Sequence, residues 1–340
     1  MIEKIHIQNF KSIYDLELEV GRVNLFIGEN GSGKSNLLEA LVFVSASESN
    51  MLVNEFLVSR GLRVPEPKLM RSAFFEEDRN SSIIVNINYG KNITIKYLFR
   101  NINQPYSRWE TVRTFDNDIY HYQNFLIYSP ENTALRVFEK ENQIQPLGIN
   151  GEGLLKLLKV INNYEDKSYI NTIIESLQLF NWFEDITIPT DISSMEDKVI
   201  IKDKYLYREI DQRSANEGFL FILFYITLIV AKETPKAFAI DNIDASLNPK
   251  LCTKLMTILT KLAHKYDKQI FLTTHNPAIL DGIDLNDEEQ KLFVVSRNEL
   301  GHTQMKNLTV KDNPLDEDGE ALHLSEAFLR GYLGGLPRGF

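Results

Sequence analysis

Gly28-Glu29-Asn30-Gly31-Ser32-Gly33-Lys34-Ser35 is the stretch from which the chain is best read. It matches G-x-x-x-x-G-K-[ST], the phosphate-binding loop, and its flanks fit as well. Val23 to Ile27 is an apolar run without alternation, the pattern of a strand covered on both faces. Ser35 to Val44 carries Leu37, Leu38, Ala40, Leu41 and Val44 at helical spacing. Glycines between a buried strand and a helix let the backbone turn tightly, with N–H groups aimed at phosphate oxygens where a Cβ would obstruct. Asn30, Gly31, Ser32, Gly33, Lys34, Ser35 and Asn36 are therefore the expected nucleotide contacts. Lys34 would neutralise β- and γ-phosphate charge and Ser35 would offer its hydroxyl to magnesium, with the positive end of the helix dipole beneath them.

Upstream, Ile5 and Ile7, then Leu16, Leu18 and Val20, alternate with polar residues and predict two strands joined at Asn9 to Ser12. Downstream, Ile83, Val85, Ile87 and Ile93, Ile95, Tyr97 predict a hairpin turning at Gly90-Lys91-Asn92. Leu154 to Ile161 and Ile170 to Phe180 read as helices, Ile186 to Ile188 and Val199 to Ile201 as short strands. Core-like character returns near Ser214. An apolar helix from Phe219 to Ala231 precedes the strand Ala237 to Ile240, the helix Leu251 to Ala263 and the strands Gln269 to Thr274 and Leu292 to Val295. Strand and helix in alternation is the rhythm of a parallel sheet with crossover helices. Phe219 to Ala231 is shorter than the roughly 20 residues needed to cross a bilayer, so it is expected to be a core helix with no membrane partner.

Ala237-Phe238-Ala239-Ile240-Asp241 has the form of a Walker B strand, whose terminal carboxylate holds magnesium. Its continuation, IDNIDASLNP (240–249), resembles the I-D-E-P-E-x-x-L-H-P stretch of ABC-type ATPases of the RecF/SMC kind and their OLD-like relatives. Further segments resemble that group in the same order. Asn9-Phe10-Lys11-Ser12 is similar to its first-strand N-F-(K/R)-S, and Tyr128-Ser129-Pro130 to the segment near its Q-loop. Ser214-Ala215-Asn216-Glu217-Gly218 is similar to a divergent signature motif, and Thr273-Thr274-His275-Asn276-Pro277 to T-T-H-S-P.

The resemblance runs from residue 1 to about 300 and implies an α/β fold: a P-loop NTPase head of the ABC type with a mixed or parallel central sheet, an N-terminal antiparallel β portion and a helical insertion. It divides the chain into an N-terminal core (1–44), a β-rich insertion (45–125), a helical lobe on the Q-loop side (126–205), a C-terminal core (206–310) and a tail (311–340). The cofactors implied are ATP and Mg2+, with Ser35 and Asp241 on the metal, Lys11 near the nucleotide and His275 as the γ-phosphate sensor. The partner implied first is a second copy, whose Ser214, Asn216 and Gly218 would meet the γ-phosphate. One departure matters: Asn242 stands where the group has a glutamate, and an amide cannot take a proton from attacking water. Slow hydrolysis is expected, with Lys34, Asp241, Asn242 and His275 as the catalytic set.

The formal net charge of -10 removes a domain-wide positive field for nucleic acid, so any DNA contact must be local. The stretch 91–113 is the candidate, with Lys91, Lys96, Arg100, Arg108 and Arg113 interleaved with Tyr97, Phe99, Tyr106 and Trp109; the alternative is a hairpin with one packed and one solvated face. The single cysteine, Cys252, and the lack of an apolar export stretch in MIEKIHIQNFKSI predict a cytoplasmic protein. The acid run Asp316 to Glu320 lies in too short a remainder for a Toprim nuclease, so a nuclease or toxin effector is expected to be a separate chain. The resemblance implies a defence or toxin-antitoxin-like setting, with RecF/SMC-like DNA maintenance as the alternative. A small-molecule kinase would need only the phosphate loop. Leu324 to Phe340 combines glycines with Leu329, Tyr332, Leu333, Leu336 and Phe340, and is expected either to be mobile or to dock.

Overall fold

The computed structural model describes residues 1–75, 80–90, 93–104, 107–114, 124–138, 144–191, 198–315 and 319–336. In chain order the first elements are β1 (Lys4–Phe10), β2 (Ile13–Glu19), β3 (Val23–Gly28), α1 (Lys34–Glu48), α2 (Asn54–Ser59) and α3 (Pro67–Met70). β4 (Ile83–Asn88), β5 (Thr94–Arg100), β6 (Glu110–Thr114) and β7 (Ile127–Tyr128) follow. Then come α4 (Leu154–Asn162), α5 (Ser168–Leu177), β8 (Phe183–Thr187), β9 (Ile200–Asp203), β10 (Ile210–Asp211) and α6 (Glu217–Val230). The chain continues through β11 (Ala237–Ile240), α7 (Pro249–Lys265), β12 (Gln269–Thr274), β13 (Gln290–Arg297), β14 (Thr303–Leu308) and α8 (Leu324–Leu329).

Two compact units result. The first comprises Met1–Ile127, Ala237–Ile243 and Gln269–Phe340. Its central sheet runs β14-β13-β3-β12-β11-β7, and β3 pairs in parallel with both β12 and β13. That double pairing explains why Val23 to Gly28 is buried at every position. A second, antiparallel sheet runs β2-β1-β4-β5-β6. One apolar cluster joins that sheet, through Ile7, Phe10, Val85 and Phe99, to Phe26, Phe271 and Phe293 of the central sheet, with α1 contributing Leu37, Leu41 and Phe43. A helix packed between two layers is apolar on nearly every face, which is why α1 carries an apolar run in place of a single stripe.

The strands of 45–125 do not stand apart as an insertion. β4 pairs with β1, Ile5 opposite Ile87 and Ile7 opposite Val85, so they extend the N-terminal hairpin into one sheet. Gly90 has a left-handed φ of 78° at the turn, while Lys91 and Asn92 lie outside the described residues. In the basic-aromatic stretch, Tyr97 and Phe99 are buried in the core, and Arg113 pairs with the buried carboxylate of Glu48, to which Tyr97 also donates. Lys96, Arg100 and Arg108 are exposed, and Tyr106 lies outside the described residues. The stretch is thus a sheet with one packed and one solvated face, and its two buried rings are not available to stack on bases.

The C-terminal segment docks within the first unit. Leu324, Ala327, Phe328 and Leu333 are buried, and Asp281 accepts from the Ser325 amide at 2.9 Å and its hydroxyl at 2.6 Å. Residues 316–318 of the acid run and Phe340 lie outside the described residues.

The second unit comprises Tyr128–Lys236 and Asp244–Lys268. Here α6 is buried from Phe219 to Val230, in contact with α4, α5 and α7, and Phe219 packs in tilted contacts among Phe180, Trp182 and Phe183 at 5.3 to 5.6 Å between ring centroids. The antiparallel β10-β9-β8 sheet completes it. No helix among the described residues is long and apolar enough to cross a membrane.

Lys268 gives this unit a pH signature. It is 2% exposed, and Nζ donates to Thr234 O at 2.9 Å, Thr234 Oγ1 at 2.8 Å and Pro235 O at 3.2 Å. Burial lowers its pKa from 10.5 to about 8. Between those values the unfolded chain holds a proton that the folded chain releases, so stability rises with pH across that window and this contribution is lost as pH falls through about 8. Urea unfolding from pH 8 to 10.5 is expected to show that slope in the wild type and to lose it in Lys268→Met.

Candidate functional site

The site lies at the C-terminal edges of the parallel strands β13, β3, β12 and β11, where an open α/β sheet receives its ligand. β3 ends at Gly28, where an added Cβ would run into the carbonyl oxygen of Val295 on β13. The loop then turns back so that Gly33 becomes the N-cap of α1 at φ 109°. Lys34, the first residue of α1, is buried and donates from Nζ to Gly28 O at 2.8 Å and Glu29 O at 2.9 Å. Its ammonium therefore arches over the loop.

Ser35 follows, and its hydroxyl donates to the Asp241 carboxylate at 3.2 and 3.4 Å. Asp241 also accepts from the Thr273 hydroxyl, and Thr273 Oγ1 accepts from the Asn242 amide at 3.0 Å. β11 and β12 are neighbours in register, Ile240 opposite Leu272, and this brings the carboxylate and the threonine to one edge. Asn242 sits at φ 55°, a left-handed conformation that asparagine tolerates better than most side chains.

A cavity of about 380 Å³ is lined by Asn30, Gly31, Gly33, Lys34, Ser35, Asn36, Arg63, Asp241, Asn242, His275 and Arg297. Most of the expected nucleotide contacts and the whole expected catalytic set therefore share one pocket. Ser32 lies beneath it, buried, and its hydroxyl is without a hydrogen-bond partner among the described residues. Lys11 is placed differently from the expectation. It is held by the buried carboxylate of Glu39 and by Arg63 O at 2.8 Å, and it lines an adjoining cavity of about 630 Å³ together with Ser12, Asn36, Arg63 and Arg297. The reason is electrostatic: Glu39, at 1% exposure in α1, needs cationic partners, and Lys11 and Arg63 both supply one. Burial lowers the Lys11 pKa, whereas hydrogen bonding to Glu39 raises that of Arg63. Ser214, Asn216 and Gly218 belong to the second unit; there Asn216 caps α6, accepting from the Phe219 amide at 2.8 Å.

Arg297 and Thr303 support the site although neither belongs to a motif. Arg297, at the end of β13, donates from Nε to Gly31 O at 2.8 Å. Thr303, at the start of β14, donates to Ser32 O at 2.9 Å and meets Ser12 Oγ at 2.6 Å, while Asn36 donates to Ser12 at 2.6 Å. No sequence signal marked Arg297, because its place beside the loop follows from the pairing of β13 with β3. Gly33 is where this brace is tightest, since a Cβ there would overlap Thr303 Oγ1 and approach Ser12 Oγ at 2.8 Å. Gly33→Ala is expected to cost at least about 2 kcal/mol in urea unfolding, from steric overlap added to left-handed strain.

Three cations, Lys34, Arg63 and Arg297, face one carboxylate in the cavity, which suits an anion larger than a single charge. The orphaned Ser32 hydroxyl and the convergence of the Ser35 and Asp241 oxygens fit a phosphate and a hard divalent cation. Ser35 and Asp241 would hold magnesium, whose chemistry is to neutralise charge on the phosphates.

Residues 23–281 match the family model described as an AAA domain, putative AbiEii toxin, type IV toxin-antitoxin system. The chain belongs to this family of P-loop ATPases.

Among curated relatives of this family member, an uncharacterised protein of Methanocaldococcus jannaschii is 46% identical over 67 residues, 18% of this chain and 31% of that protein. The DNA replication and repair protein RecF of Porphyromonas gingivalis is 34% identical over 98 residues, 28% of this chain and 26% of RecF. The matched regions thus span about a third or less of these relatives. Of solved structures, an SMC head bound to the C-terminal winged-helix domain of ScpA has TM-score 0.65 at 14% identity, covering 91% of this chain and 98% of that one. The SMC head domain of Thermotoga maritima has TM-score 0.53 at 17% identity, with 91% and 99% covered. The fold is therefore that of the SMC head, with an antiparallel N-terminal sheet and a mixed central one.

Proposed function

We propose that this ATPase binds ATP with Mg2+, closes into a pair of copies around it, hydrolyses it slowly and thereby governs a separately encoded effector in anti-phage defence or a toxin-antitoxin-like system. Asn242 beside Asp241 carries the reading. The pocket holds a lysine, a hydroxyl and a magnesium-type aspartate, yet Asp241 is its only carboxylate among the described residues. Such a site favours holding the nucleotide over turning it over. The family's toxin-antitoxin description and the winged-helix partner seen on an SMC head support control of a partner protein.

Closure is tested by mass in solution. ATP with magnesium is expected to double the mass where ADP does not, and an unchanged mass with ATP would remove the switch. Co-purification with the product of the neighbouring gene tests the effector. The similarity to RecF over 98 residues favours a second reading, direct action in DNA repair or maintenance. DNA-stimulated phosphate release would establish that reading in place of the first.

A further inference from the structure

Ala215 of the Ser214–Gly218 segment and the two residues before that segment, Gln212 and Arg213, are held by a side chain far away in sequence. Arg136 closes a short 3-10 turn, Ala134–Arg136, and is half-buried. Its Nη1 donates to Gln212 O at 3.0 Å and Arg213 O at 2.6 Å, and its Nη2 donates to Ala215 O at 2.9 Å. Its Nε is fixed by Asn132 Oδ1 at 2.9 Å. One planar fork thus takes the carbonyls of three peptide groups at the entrance to α6. Lysine could not reproduce that arrangement.

Other contacts complete the turn. Asp211 Oδ1 accepts from the Arg213 amide at 3.0 Å and the Ser214 amide at 3.3 Å, and Asn216 caps α6. Gly218 is pressed close to Ser246, since an added Cβ would lie 3.1 Å from its carbonyl oxygen. In a trans peptide the N–H points opposite to the C=O. Binding the Ala215 carbonyl therefore directs the Asn216 N–H away from the arginine, and the adjacent cation polarises that peptide. Together with the positive end of the 14-residue α6, this forms a preset donor face for an anion.

We propose that Arg136 is a positioning residue for ATP-driven pairing: it sets the Ser214–Gly218 turn that meets the γ-phosphate held by the other copy. The inference rests on the paired-copy reading above. Arg136 acts through the turn and is not among the residues that line the phosphate-loop cavity.

The distinguishing measurement is complementation between copies, using full-length R136A and K34A. R136A alone is expected to bind a fluorescent ATP analogue within about twofold of wild type while its ATP-driven pairing, read by light scattering, weakens about tenfold or more. A mixed pair contains one site with the intact phosphate loop of the R136A copy and the intact turn of the K34A copy. Mixing is therefore expected to restore association that neither variant shows alone. If R136A does not fold, judged by its thermal midpoint, R136K is taken through the same mixing, because it keeps the charge and loses the fork. Wild-type pairing by a folded R136A, loss of its own ATP affinity, or no recovery on mixing overturns the assignment. A wild type that stays monomeric with ATP overturns the paired-copy reading as well.

Discussion

Lys34→Ala is expected to weaken ATP binding at least about 100-fold, because hydrogen bonds from a charged donor contribute about 1.5–3 kcal/mol each and the ammonium is placed to make more than one to phosphate oxygens. The structure gives the reason for the size. The ammonium is buried and pre-positioned by the carbonyls of Gly28 and Glu29, so it needs little further ordering to receive phosphate. Alanine also leaves those carbonyls without their donor, so a small loss of stability should accompany the loss of affinity. Titration with a fluorescent ATP analogue reads the first and urea unfolding the second. Affinity within a few-fold of wild type would mean that the loop does not grip phosphate through this residue, and the proposed function would fail with it.

Restoring a base at position 242 should act in the opposite direction. Wild-type turnover is expected below about 10 per second, and Asn242→Glu should raise steady-state phosphate release about 100-fold or more, within the range that general-base help provides. The backbone opposes part of this gain. At φ 55° a glutamate costs roughly 1–2 kcal/mol that asparagine largely avoids, so the variant should unfold at lower urea. Asn242→Asp separates the two effects: it tolerates the same backbone better but carries its carboxylate one methylene shorter. Equal turnover in wild type and Asn242→Glu would show that the missing carboxylate does not limit hydrolysis.

The phosphate loop was legible because its signals are local: a buried strand, a spaced set of glycines and a helix, all within residues 23–44. Asp241 and His275 were legible through their order along the chain, and they line the same cavity as Lys34. What escaped depends on partners far apart in sequence. That 45–125 extends the N-terminal hairpin follows from the pairing of β4 with β1, for which no alternation within either strand could argue. Lys11 fitted a phosphate role by resemblance, but its ammonium is taken by Glu39. The one signal for that was an acid inside the apolar run Leu37 to Val44, which reads more readily as a solvated position than as a buried counter-charge. The docking of the C-terminal segment turns on Asp281 and Ser325, two unremarkable polar residues until the fold brings them together.

The central position of β3 has a consequence for how the protein is made. Residues 23–28 leave the ribosome well before both of their sheet neighbours, β12 and β13, which are encoded beyond residue 268, and the brace beneath the loop awaits Thr303. During synthesis this apolar strand therefore has two unsatisfied edges until β12 and β13 follow, the condition under which chains stick to chaperones or to one another. Nascent fragments ending before about residue 300 should be unable to complete the braced phosphate loop.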